Sequence, residues 1–113
     1  MKKIEIACFN LESAVIAQKA GADRVELCAD MSVGGITPTI EIIQQVREHL
    51  TIDLYVMIRP RGGNFVYSEA ELEQMKSEIE TIKKVGVNGF VFGVLKDDKT
   101  INLEQNKVLV ELV

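Results

Sequence analysis

Two cysteines, Cys8 and Cys28, each close an apolar stretch (EIAC and RVELC) whose β-branched, alternating residues predict a strand. Neighbouring parallel strands run about 4.8 Å apart. Thiols at matching heights could therefore share one soft metal ion, and thiolates favour Cu(I) or Zn(II). The competing reading is two core residues, because a free cysteine is among the most buried residue types and this pair lacks C-x-x-C spacing. Glu5 and Glu26 lie inside the same stretches, between Ile4 and Ile6 and between Val25 and Leu27. A carboxylate buried on a doubly covered sheet is costly without a partner. In a barrel, alternate strand residues point inward, so both glutamates are expected inside, with Arg59 as their counter-charge. There they would serve as a register-fixing ion-pair network or as acid–base groups. Residues two apart share a strand face. Cys28 is therefore expected beside Glu26, and Cys8 opposite Glu5 unless the strand has turned by then.

A third group of residues is Arg59-Pro60-Arg61-Gly62-Gly63, at the end of the apolar run VMIR. Arginine forks match carboxylate or phosphate, and glycines let backbone N–H groups approach an anion. No G-K-[ST] follows, so this is not a P-loop. The expectation is a division of labour. Arg59 is structural, while Arg61 with Gly62 and Gly63 is open to a small anionic or phosphorylated metabolite. Gly34-Gly35 leads toward a helix start, a tight turn that is also a general place for anions. His49 is the only histidine and sits late in a helix, where it complements the dipole. A Ser/His/Asp or Cys/His arrangement is hard to build from this chain.

Four strands and four helices must position these residues. Strands are predicted at Lys3–Cys8, Arg24–Cys28, Asp53–Arg59 and Asn88–Leu95. Asn10 caps a first helix that carries Leu11, Ala14, Val15 and Gln18 at helical spacing and stops at Gly21. Thr37, with Pro38 at the first position, is expected to cap a second helix with Ile40, Ile43, Val46 and Leu50 on one face. Ser68 to Glu71 reads as a capping box ahead of Leu72, Met75, Ile79 and Ile82. Asn102 caps a fourth helix over Leu103–Val113. The joints Gly21-Ala22-Asp23-Arg24-Val25 and Gly86-Val87-Asn88-Gly89-Phe90 look alike.

Four βα units imply a parallel sheet with right-handed crossovers. Residues 1–113 are expected to form a single α/β domain. Pattern alone leaves two architectures open: an open sheet with helices on both faces, or half of a (βα)8 TIM barrel, whose whole needs roughly 250 residues. Hydrophobic residues make up 47% of the chain, enough for a core, and the net charge of −4 argues against nucleic acid as the main partner. Glu5 interrupts the run after Lys2-Lys3, so no signal peptide is expected, and no stretch approaches 18 apolar residues. Two cysteines do not make a disulfide framework. The expectation is a cytoplasmic protein with no membrane partner.

VELCADMSVGGITPT (Val25–Thr39), VMIRPRGGNFVYS (Val56–Ser68) and VNGFVFGVLKDDKTIN (Val87–Asn102), with EIAC ahead of them, closely resemble signature stretches of the CutC copper homeostasis family. The resemblance implies a TIM-barrel fold and puts the half-barrel ahead of the open sheet. It implies a cytoplasmic protein that handles copper as Cu(I), with Cys8 and Cys28 as the metal ligands. Glu5, Glu26, Arg59 and Arg61 match the family's acidic and arginine positions. Family members run to roughly twice this length, so the chain resembles the first half. It departs from the family pattern at Asn64, Lys99 and Asn102. A half chain exposes the edges of its outer strands, so a homo-oligomer or a fragment of a longer chain is expected. The alternative to copper handling is a TIM-barrel enzyme, or its remnant, with an anion at the Arg59–Gly63 loop and Glu5 or Glu26 as acid–base groups.

Overall fold

A computed structural model describes residues 2–113. Strands and helices alternate: β1 (Glu5–Cys8), α1 (Leu11–Lys19), β2 (Arg24–Leu27), α2 (Ile40–His49), β3 (Asp53–Met57), α3 (Glu69–Lys83), β4 (Gly89–Val91) and α4 (Leu103–Leu112). A 3-10 turn, Met31–Val33, interrupts the β2–α2 loop. The strands are parallel and lie in the order β1-β2-β3-β4. Each therefore pairs with its sequence neighbour, as successive right-handed crossovers of a barrel require.

The expected caps form at three of the four helices. Asn10 accepts the Ser13 N–H at 2.7 Å and Asn102 the Gln105 N–H at 3.0 Å. Ser68 and Glu71 make the reciprocal capping box. The second helix corrects the expectation: Thr39, not Thr37, is its cap, and Pro38 precedes the helix. Thr37 is taken by β3 instead. Its hydroxyl accepts the Arg59 N–H at 2.8 Å and donates to the Arg59 carbonyl at 3.2 Å. The ladder pairs also end sooner than the apolar runs do: Cys28 and Arg59 lie one and two residues past β2 and β3, and Leu95, four past β4, pairs with Ile101 in a separate antiparallel bridge.

Strand parity decides between the two architectures. Cys8, Val25, Leu27, Leu54, Val56 and Ile58 are each at most 1% exposed and share one core with Ala14, Ile43, Val46, Met75, Ile79 and Leu109 of the helices. All four helices therefore cover one face of the sheet. The other face carries Glu5, Ala7, Arg24, Glu26, Tyr55, Met57 and Val91, by alternation along the strands. A doubly wound sheet would bury both faces. One covered face and one face with a polar, partly exposed lining make four units of a TIM-type barrel.

Candidate functional site

On the interior face the strands stack their side chains in layers. The lowest layer sets Glu5 against Arg24 in the ladder. Arg24 Nε donates to Glu5 Oε2 at 2.6 Å, and its guanidinium lies 4.6 Å over the Tyr55 ring. Glu5 therefore has Arg24, not Arg59, as its counter-charge. The reason is height: Glu5 and Arg24 start their strands, whereas Arg59 follows the end of β3. The next layer aligns Ala7, Glu26 and Tyr55. The Glu26 carboxylate has no hydrogen-bond partner among the described residues, although the Glu26 backbone carbonyl accepts the Cys28 thiol at 4.0 Å. Burial, and then the nearby Glu5 carboxylate, push its carboxyl above the usual range.

The two thiols diverge. Cys28 donates its backbone N–H to the Cys8 carbonyl at 2.9 Å, so the chains touch there. Their side chains point to opposite sides of the sheet. Cys8 belongs to the core between strands and helices, where its Sγ lies 3.5 Å from the Ile6 carbonyl. Cys28 follows Leu27, which points into that core, so its own side chain faces the interior. Both are free and buried. Burial raises the Cys8 pKa and, reinforced by Glu26, pushes that of Cys28 up to about 12. Among the described residues no three His, Cys, Asp or Glu side chains gather as a metal cluster. Continuing the ladder one step past Leu27 and Val56 sets Cys28 beside Met57. The sequence reading passed over Met57, although counting back two residues from Arg59 puts it on the interior face.

Both arginines are already engaged. Arg59 is 7% exposed, and its Nη1 donates to the Val33 and Gly35 carbonyls at 2.8 Å each. Its Nη2 donates to the Gly63 carbonyl at 2.8 Å, while the guanidinium covers the Phe65 ring at 4.7 Å. Arg61 bonds Glu71 Oε2 at 2.7 Å and the carbonyls of Asn64 and Val66 at 2.7 Å each. The backbone N–H of Ser68 and the Arg61 guanidinium together hold the Glu71 carboxyl below the usual range. Arg61, expected to face an anion, here bonds Glu71 and two loop carbonyls, with its side chain still 37% exposed. Arg59 ties the β2–α2 loop to the β3–α3 loop, and Arg61 ties the latter to α3. Gly62 serves close packing, since a Cβ there would sit 2.7 Å from Val33 Cβ. Gly63, at φ +88, presents its carbonyl to Arg59.

Two further features complete the strand ends. A cleft of about 690 Å³ opens between Tyr67, Lys96, Asp97, Asp98 and Glu104, at the carboxyl end of β4. Asp98 is tied to Thr100 and held below its usual pKa by that bond. His49 ends α2 exposed, its ring Nδ1 2.7 Å from the Gln45 carbonyl, in keeping with a surface role.

Four βα units with every helix on one face, and with their cysteines, arginines and acidic loops at the strand carboxyl ends, define half of a TIM-type barrel. A profile of the CutC family matches residues 2–113. Relatives agree: a CutC family protein of Photorhabdus laumondii is 46% identical over 112 residues, 99% of this chain and 45% of its own length. A human protein named copper homeostasis protein cutC homolog is 46% identical over 101 residues, covering 89% of this chain and 37% of that one. The solved structure of CutC from Streptococcus agalactiae superposes with a TM-score of 0.92 at 36% identity, over 99% of this chain and 55% of that chain. An N-acetylmannosamine-6-phosphate 2-epimerase from Clostridium perfringens shares the fold alone, at TM-score 0.54 and 14% identity. The chain belongs to the CutC family. It spans less than half the length of the curated relatives it matches.

Proposed function

We propose that this chain serves copper homeostasis by binding copper as Cu(I) at the carboxyl ends of β1 and β2, through Cys28 and Cys8, in the cytoplasm. The observation that carries the reading is a pair of free thiols on backbone-bonded strand ends, at the end of the barrel where such folds bind ligands. The copper homeostasis name of the human relative supports it. Soft thiolates select Cu(I) over the hard cations of the cell. Free thiols persist in a reducing compartment, and no described helix is long and apolar enough to cross a membrane. Cys28 is the thiol on the interior side of the strands, buried there, and the principal donor. Cys8 joins it only by turning out of the core.

The test is an anaerobic Cu(I) titration against a competing chelator. The expected result is one equivalent bound by the chain and none by Cys8→Ser/Cys28→Ser. Equal, weak uptake by both proteins would overturn the copper reading.

A further inference from the structure

Three observations converge on one point of the interior face. The ladder sets Cys28 next to Met57. Gly35, at φ +101, lies over them: a Cβ built there would meet Met57 Sδ at 3.1 Å, Cys28 Cβ at 3.3 Å and Phe9 Cε1 at 3.5 Å. Arg59, itself buried, holds the Gly35 carbonyl at 2.8 Å and so keeps that backbone in place. Cys28 and the Met57 thioether are thus ladder neighbours beneath a glycine whose added Cβ both would crowd. Phe9 closes one flank, and Cys28 is only 3% exposed.

We propose that Cys28 and Met57 form a two-sulfur site for Cu(I), with Cys8 outside it. The proposal rests on the copper reading above and changes its ligand set. A thiolate and a thioether are both soft donors suited to Cu(I), and a monovalent d10 ion is content with two of them. The burial of Cys28, 3% exposed, keeps out the water that harder cations need. On binding, the Cys28 S–H bond breaks and its proton passes to solvent. A Cu–S bond forms in its place, and Met57 gives a lone pair without losing a proton. Copper enters and stays as Cu(I), so no electron is transferred. Gly35 and Arg59 act as positioning residues, because neither supplies a donor atom.

The same chelator competition separates this site from the two-cysteine site. It is run on the 113-residue chain and on three single variants, with Cu(I) as the probe. Cys28→Ser is expected to abolish stoichiometric binding, Met57→Leu to weaken it by about tenfold or more, and Cys8→Ser to leave it unchanged. Leucine matches methionine in volume, so the fold tolerates the swap. If Met57→Leu binds as tightly as the parent chain, or if Cys8→Ser loses as much as Cys28→Ser, the proposal is overturned while the copper reading stands. If the parent chain itself takes up no copper, both fall. A second measurement does not depend on how the variants fold: Ag(I), a redox-inert stand-in, is titrated into protein labelled at the methionine methyl groups. The Met57 methyl resonance is expected to shift in step with one equivalent of metal. A resonance that stays put overturns the site.

Discussion

Arg59 spends one guanidinium on three backbone carbonyls and an aromatic face. That is a structural use of the planar fork which a lysine, with its point charge, could not reproduce. Its position after an apolar run was legible in the sequence; its partners were not, because all three are carbonyls, and every residue has one. Glu5 was misassigned for a related reason: alternation gave its face but not its height, and height selects Arg24. Glu78 was missed altogether. It sits on the third helix, half-buried, with the Thr37 hydroxyl 3.4 Å from its carboxylate. Burial raises its pKa, against smaller pulls from Gln74 and Thr37. The sign of its linkage follows. As pH rises above the ordinary carboxylate value, the unfolded chain loses this proton while the folded chain still holds it, so stability present in acid is lost through the raised pKa. Glu78→Gln keeps a partner for Thr37 and cannot ionise. Urea unfolding is expected to show the variant more stable than the parent at pH 7 and equal to it near pH 4. A variant less stable at pH 7 would show that the carboxylate is favoured where it sits.

At the level of elements, the two similar helix-to-strand joints turn out to be one device used twice. Gly21 and Gly86 both leave their helices at positive φ, +99 and +90, and a Cβ on either would meet nothing within 4 Å. Glycine is there for its backbone. Two residues on, Asp23 Oδ2 accepts the Ile4 N–H at 2.6 Å and Asn88 Oδ1 accepts the Leu54 N–H at 2.9 Å. In each case a short polar side chain ties down the preceding strand. The repeat was legible as letters, and its meaning needed the parallel register, which sequence alone does not supply. Asn88 also accepts from Arg47 Nη1 at 2.8 Å. Asn88→Ala orphans the N–H of a fully buried residue and is expected to cost about 1–3 kcal/mol. Asn88→Asp preserves both bonds and should cost less. Denaturant midpoints for the two variants decide the matter, and equal losses would mean that the side-chain oxygen is not what matters. The second helix shows where local pattern fails: Thr37-Pro38 is a good capping sequence, yet Thr37 gains more from two bonds to Arg59 of the third strand, and Thr39 caps instead.

For the whole molecule, the open question in the sequence was where the helices lie. A four-unit βα pattern reads the same for a half-barrel and for a doubly wound sheet, since both bury one parity of each strand. What separates them is the other parity, and here it holds an ion pair, a carboxylate and a tyrosine beside Ala7, Met57 and Val91. The consequence is a surface with apolar residues at its two flanks. The outer edges of β1 and β4 have no ladder partner among the described residues. Beside them, Ile4 is 57% exposed and Ile16 56% on one flank, and Leu103 73% and Val110 57% on the other. Leu103 and Val110 are seven residues apart and share a helix face. In a closed barrel such edges and helix faces meet the next βα unit, and unpaired they are templates for association. Expressed as these 113 residues, the chain is therefore expected to self-associate through its flanks, a second copy standing where further units would. Light scattering after size exclusion should report a dimer. Leu103→Lys/Val110→Lys, which adds charge to a face that contributes little to the core, should shift the population toward monomer without lowering helicity. A parent chain that stays monomeric at high concentration would mean that its edges are blunted within the chain, and the charged variant would then make no difference.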